Sequence, residues 1–518
     1  MKEPRTGAPV DLVVKNGKVV TPGYTKTQWI AVDGGRIVAM GDIESMMPQA
    51  RQTIDASGKY VLPGVVDNEH HPCPPKTGSF HTDEPVAEVV TTDSKASLIG
   101  GVTTHGIQMS TPWLDPYLHD YPDLRFNRER IPSLMEAFPK FKKMMARSYT
   151  DYFLTPFVTT DEQVREIPEF AEKYGVTSYK MYLQMLQGEH IRSMWPLVET
   201  MGWYHIDDGT IYLAMKNIAE LGPPGLLGFH AENWEIACII KEELMAEGRS
   251  DVAAWDEKTP PFAEAGHVRN YAYYAKATGC PIYIQHTTTP ETVEEIVKAK
   301  AEGVNIFGNS SPHYLTLTSD LDRAWRTNCP LRSREAVDKC WEALRDGVIE
   351  TISSDNCTTD VRALKEVEKY GLKYHHNALT WWDGGMGGRS EAFLPVMLSE
   401  GVNKGRVSLE RLVEVCCENP ARYFGIYPKK GIIAIGSDAD FAIVDLDETK
   451  ILTRDMLHAW IPWSIWEGWE IKGWPVMIII RGKLMMEWPK GAPKAKIVGK
   501  PNGQYMPRKP GHALYPLD

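Results

Sequence analysis

The chain has 518 residues, which as a loose prior is about three domains, or fewer if one is a large barrel. Its 43% hydrophobic and 24% charged residues are globular values that exclude a disordered chain, and a net charge of -11 with no Lys/Arg-rich block excludes a nucleic-acid surface, which needs clustered cations. The polar opening, Met1 to Val10, and the lack of a long apolar run predict neither a signal peptide nor a membrane span, so a cytoplasmic location and a small-molecule partner are expected. Eight scattered cysteines without zinc-finger or redox spacing fit a reducing compartment.

From Asp11 to Leu62 the pattern is short and alternating: LVVKNGKVV, WIAVDGGRIVAMG and TIDASGKYVLPG, broken at Asn-Gly, Gly-Gly and Ser-Gly. From Val65 to about Phe424 apolar strand runs are followed by amphipathic helices, as in GCPIYIQH then PETVEEIVKAKAEGVNIFG. Repeated β-then-α units over about 360 residues predict an α/β fold, a (β/α)₈ barrel with insertions. GIIAIGSDADFAIVDLD and GWPVMIIIRGKLMMEW then return to β character, so residues 1–62 and 425–488 are expected to form one small β domain beside a barrel of 63–424. The Pro-, Gly- and Lys-rich residues 489–518 are expected as an extended arm.

Five strand-end signals carry chemistry. Glu69 and His71 stand two apart on one predicted strand, so both face one side and can share a metal ion. Lys180 sits in the β-prone run Val176 to Tyr182, where an ammonium must be paired or neutralised; it is an ion-pair partner inside the barrel or an amine that captures CO₂ as a metal-bridging carbamate. His230 and His286 each end an apolar run, as core or capping residues or as ligands. Asp355 ends Ile352-Ser353-Ser354, either capping the next helix or serving as metal ligand and general base. In a barrel these ends converge on one mouth.

In order, these motifs resemble the amidohydrolase superfamily, in its hydantoinase and dihydropyrimidinase branch, over Leu12 to Trp488. The resemblance rests on Leu62-Pro63-Gly64, Tyr179-Lys180-Met181-Tyr182, Phe229-His230-Ala231-Glu232-Asn233, Ile284-Gln285-His286 and Ser311-Pro312-His313-Tyr314-Leu315. Further along it includes Pro330-Leu331-Arg332, Ser354-Asp355, Asn419-Pro420-Ala421, Lys430-Gly431 and Gly436 to Asp440. It implies a barrel with a small β-sandwich from both chain ends, a homotetramer, and two divalent metals per subunit, usually zinc. By resemblance Lys180 is the carbamylated bridge, His71 is the second histidine of an HxH pair, His230 and His286 hold one metal, and Asp355 binds the other and moves the proton. A hydroxide shared by two cations would then open a cyclic amide or imide, hydantoin-like or dihydropyrimidine-like.

The sequence departs from the pattern at several points. Glu69 replaces the first histidine of HxH; a carboxylate still binds metal, and it makes manganese or iron more suitable. Met185 stands where the family has an oxyanion-stabilising tyrosine, which leaves Tyr182 or Gln184 to take that part. Asn356 and Asn328 alter positions that contact substrate. The segment from Gln184 to His205, with Met194, Trp195 and Trp203, is longer than usual, as a lid over a hydrophobic or aromatic substituent or as packing. These changes keep open a second reading, the same fold and metal acting on an acyclic amide or in a decarboxylation. A third is an inactive scaffold relative, against which the retained Lys180, His71, His230, His286 and Asp355 stand.

Overall fold

The computed structural model describes residues 8–71, 83–109, 133–182, 206–249, 251, 253–320, 327, 329–357, 389–459 and 464–515. Gln184, Met185 and Asn328, and the proposed lid segment, lie outside these residues.

The chain opens with β1 (Val10–Thr21), β2 (Tyr24–Asp33), β3 (Arg36–Gly41), β4 (Ala50–Asp55) and β5 (Tyr60–Pro63). The Gly34-Gly35 and Ser57-Gly58 pairs make the expected turns, but Asn16-Gly17 does not end a strand. Asn16 takes a left-handed φ of 63°, and the register of β1 against β2 slips between Val14 and Gly17, a bulge inside one twelve-residue strand. A β-carbon at Gly17 would stand 2.5 Å from Val61 Cγ2, so the close approach of β5 is what requires glycine there.

Eight parallel strands follow: β6 (Val65–His71), β7 (Val102–Met109), β8 (Asp151–Pro156), β9 (Ser178–Tyr182), β10 (Leu226–His230), β11 (Ile282–Ile284), β12 (Ile306–Ser310) and β13 (Ile349–Ile352). They pair in chain order within β6 to β8 and within β9 to β13. Two joints close the ring. Val158 N–H donates to the Lys180 carbonyl (3.0 Å) between β8 and β9, and the short β14 (Asn356–Cys357), just after β13, pairs in parallel with His70 and His71 of β6. Between strands lie helices such as Asp161–Tyr174, capped by the Thr160 hydroxyl and stopped by Gly175 at φ 67°. Its Val164, Ile167, Phe170 and Ala171, spaced three and four apart, are buried against the barrel.

After the barrel, β15 (Phe441–Ile451), β16 (Glu470–Ile480), β17 (Lys483–Glu487) and β18 (Lys496–Ile497) complete a nine-stranded sheet with β1 to β5. The seam is β5, parallel to β1 and antiparallel to β15. Residues beyond β18 run back along the barrel: Tyr152 N–H donates to Gln504 O, and the buried Arg508 reaches the Leu154 and Gly175 carbonyls and Ser178 Oγ. That places the end of the arm against the starts of barrel strands, away from the strand ends that carry Lys180 and His230.

Candidate metal centre

The C-terminal ends of β6, β9 and β13 bring Glu69, His71, Lys180 and Asp355 together. Lys180 Nζ lies 2.9 Å from Glu69 Oε1, with both side chains buried. His71 Nε2 stands 3.9 Å from the same Glu69 oxygen and 3.5 Å from Asp355 Oδ1. Its Nδ1 lies 3.1 Å from the Gln108 carbonyl, which can only accept, so Nδ1 carries the proton and the Nε2 lone pair faces the carboxylates. Glu69 Oε2 accepts from Ser353 Oγ (3.2 Å). Burial is the largest influence on Glu69 and raises its pKa, but the Lys180 charge together with His71 and His286 outweighs it and the carboxyl is held at about 2.

Asp355 is fixed from the far side. Its Oδ2 accepts from Arg389 Nη1 (3.1 Å), and the same Nη1 lies 2.8 Å from His313 Nε2. Burial works against the Asp355 charge, yet Arg389 and neighbouring imidazoles hold its carboxyl well below the usual range. Burial and the Arg389 charge push His313 well below an ordinary histidine, so its ring is neutral beside the guanidinium. Asn356 Oδ1 accepts from the backbone N–H of Arg389 (3.1 Å) and Ser390 (3.3 Å), which seats the arginine. Asp355 and His286 both hold left-handed φ angles, 47° and 40°, a strain that persists only where surrounding contacts fix it.

His230 and His286 meet edge to face with ring centres 4.2 Å apart. Burial lowers both, His286 to about 4, so each is a neutral imidazole with a lone pair to give. His230 Nε2 lies 3.0 Å from Glu232 Oε2, which also accepts from Trp234 Nε1; Cys329 Sγ lies 3.5 Å from His286 Nδ1. The half-buried Tyr182 stacks on His230 at 4.4 Å, and Lys180 Nζ sits 5.2 Å from its ring centre.

Ligand atoms of Glu69, His71 and Asp355 all lie within 4.8 Å of one another, as do those of His230, Glu232 and Cys329. Separations of 3.5 to 3.9 Å around an inward Nε2 lone pair are too long for hydrogen bonds and suit neighbours around one cation. The oxygen and nitrogen donors fit a divalent ion. Glu232, His313, Cys329 and Arg389 are site residues that the sequence reading does not single out. Glu232 and His313 do lie inside the family motifs, whereas Arg389, in Gly-Gly-Arg-Ser, has no local signal.

A parallel eight-stranded barrel with acidic, imidazole and lysine side chains gathered at its strand ends is the architecture of a barrel metalloenzyme. The amidohydrolase family model matches residues 241–485. A D-hydantoinase of Ralstonia pickettii is 30% identical, over 96% of this chain and 99% of that protein. An L-hydantoinase of Paenarthrobacter aurescens is 31% identical, over 92% and 94%. The solved L-hydantoinase (dihydropyrimidinase) of Arthrobacter aurescens superposes with a TM-score of 0.78 at 28% identity, covering 96% of this chain and 100% of that one. The chain belongs to the amidohydrolase superfamily, in its hydantoinase branch.

Proposed function

We propose that this protein is a divalent-metal-dependent hydrolase that opens a cyclic amide or imide ring of the hydantoin or dihydropyrimidine type. The observation that carries the reading is the convergence of Glu69, His71, Lys180 and Asp355 at one buried strand-end cluster, in a chain with hydantoinase relatives on both sides of the D/L distinction.

Glu69, His71, Lys180, His230, His286 and Asp355 would hold two cations, zinc first by the donor set, with manganese or iron as the alternatives that the carboxylate at Glu69 admits. When bound, the metal supplies a Lewis acid and lowers the pKa of water. Lys180 acts as the CO₂-derived carbamate. Carbamylation replaces the Lys180–Glu69 ion pair with two adjacent anions, so it is coupled to cation binding. Asp355 keeps Oδ1 toward His71 while Arg389 holds Oδ2, and this fixes the carboxylate that takes a proton from water and returns it to the leaving nitrogen. Water oxygen joins the ring carbonyl carbon, the ring C–N bond breaks, and the nitrogen leaves protonated. Tyr182 or Gln184 would donate to the developing oxyanion, and Met185, Asn328 and Asn356 would shape the substrate pocket toward a hydrophobic or aromatic substituent.

The same reading divides the chain into a β domain of 1–62 plus 425–488, a catalytic barrel of 63–424 and an arm of 489–518 whose β18 adds an edge strand to the β domain's sheet, working as a homo-oligomer in the cytoplasm. The described cysteines support a reducing compartment, six of them being buried free thiols. No helix among the described residues is long and apolar enough to cross a membrane.

The test is a panel of hydantoin, dihydrouracil and their aryl-substituted forms, given to protein supplied with metal and bicarbonate, with ring-opened product read by mass spectrometry. Metal-dependent ring opening that Asp355→Asn abolishes is the expected result. No product from any ring, with metal bound, would overturn the reading.

A further inference from the structure

Behind the catalytic cluster lies a second buried group that the mechanism does not use. The register of β6 against β7 slips between Asp67 and His70, and this bulge turns the His70 ring back toward Asp67. His70 Nδ1 lies 3.7 Å and His105 Nε2 4.0 Å from the same oxygen, Asp67 Oδ2, with all three side chains sealed from solvent. Neither nitrogen has a hydrogen-bond partner among the described residues.

The remaining atoms of the group are engaged so as to leave those lone pairs inward. His105 Nδ1 lies 2.8 Å from Thr150 Oγ1. Ser148 Oγ donates to the Thr150 carbonyl, which leaves its own oxygen to accept from Thr150 Oγ1 and leaves the Thr150 oxygen to accept from His105 Nδ1–H. Asp67 Oδ1 accepts from Ser354 N–H (2.8 Å) and Oδ2 from Ser354 Oγ (2.6 Å), so Oδ2 retains a lone pair for a further partner. On its outer side His70 Nε2 faces Asp93 Oδ2 at 3.8 Å.

We propose that Asp67, His70 and His105 form a separate binding site for a divalent cation, zinc by its two imidazoles and one carboxylate. The three ligand atoms all lie within 4.8 Å of one another, so a point equidistant from them is at most about 2.5 Å from each, close to the 2.0–2.2 Å of zinc bonds to nitrogen and oxygen. The rings of His70 and His105 stack with centres 4.2 Å and planes 26° apart, unlike the edge-to-face His230 and His286, so cation binding turns one ring to bring both lone pairs onto the ion. Burial keeps the His105 ring neutral and its lone pair available. A cation there ties β6 and β7 to Ser354, the residue before Asp355, and is structural, since the side chains of all three ligands are buried.

The test is zinc content per chain, by elemental mass spectrometry, on full-length protein stripped with chelator and reloaded with zinc. His105→Asn should lower it by one equivalent, both in the otherwise unchanged protein and in a His71→Ala background where the catalytic cluster is already weakened. An unchanged zinc content in both would overturn the proposal. Should the variant fail to fold, anomalous diffraction at the zinc edge from unaltered protein decides: a peak between Asp67, His70 and His105 is expected, and its absence beside an occupied catalytic cluster overturns the site while leaving the catalytic reading standing.

Discussion

Lys180→Met in chelator-treated protein isolates what the buried lysine does for Glu69. Methionine keeps most of the apolar stem that lies against Phe157 and Tyr182, whose ring centres are 5.3 and 5.2 Å from Nζ, but removes the charge 2.9 Å from Glu69 Oε1. Holding a fully buried carboxyl at about 2 instead of 4.5 corresponds to about 3 kcal/mol of native-state stabilisation at neutral pH, at about 1.4 kcal/mol per unit. Breaking a buried ion pair from one side independently gives about 3–5 kcal/mol. The Glu69 carboxyl is depressed in the native state, so its contribution is complete above pH 4.5 and is lost as pH falls toward 2. Urea midpoints at pH 7 in the presence of chelator are the measurement. Lys180→Met should lose several kcal/mol, and Glu69→Gln/Lys180→Met should recover most of it, because the amide no longer needs a counter-charge. A single variant as stable as the unaltered chain, or a double variant no better than the single, would refute the pairing as the reason Glu69 tolerates burial.

Asp355→Asn should lower the turnover of any ring substrate by about 10²- to 10⁴-fold, the span of a positioned proton carrier, with KM far less changed; a raised KM with turnover unchanged would assign Asp355 to binding. His286 is depressed from 6.5 to about 4, so metal-free protein should lose stability as pH falls from 6.5 toward 4, while the unfolded chain takes up the proton that the native ring refuses. His286→Phe, followed by urea midpoints at pH 7 and 5, should flatten that loss. A β-carbon at Gly100 would run into the Ser390 carbonyl, so Gly100→Ala should displace the Arg389–Ser390 backbone and cut ring opening at least tenfold while circular dichroism stays unchanged.

The parts of this molecule that were legible in its sequence are those set by local periodicity. Apolar runs ending in Glu69-His70-His71, His230, His286 and Asp355 announce barrel strands and their mouth, because an inward strand is buried along its length and polar only where it emerges. Asn16-Gly17 misled because the dipeptide that favours a two-residue hairpin also favours a bulge, and only the distant Val61 decides between them. Arg389 could not be found locally, since its partners Asp355 and His313 are 34 and 76 residues away. The Asp67–His70–His105 group was hidden for a related reason: strand alternation sends His70 to the opposite face from Asp67, and the bulge that reverses it leaves no mark in the residue types.

The seam at β5 sets a timetable for synthesis. Pro63 pairs with Phe441, 378 residues later, so at about 5–20 residues per second the partner of β5 leaves the ribosome about 20 to 75 s after β5 itself. Through that interval Val61, Leu62 and Pro63, all buried in the finished sheet, present an apolar strand edge that can pair with another nascent chain. Yield of native protein should therefore depend on chaperones that shield the first sixty residues, and slower translation should lower that yield, because it lengthens the exposure.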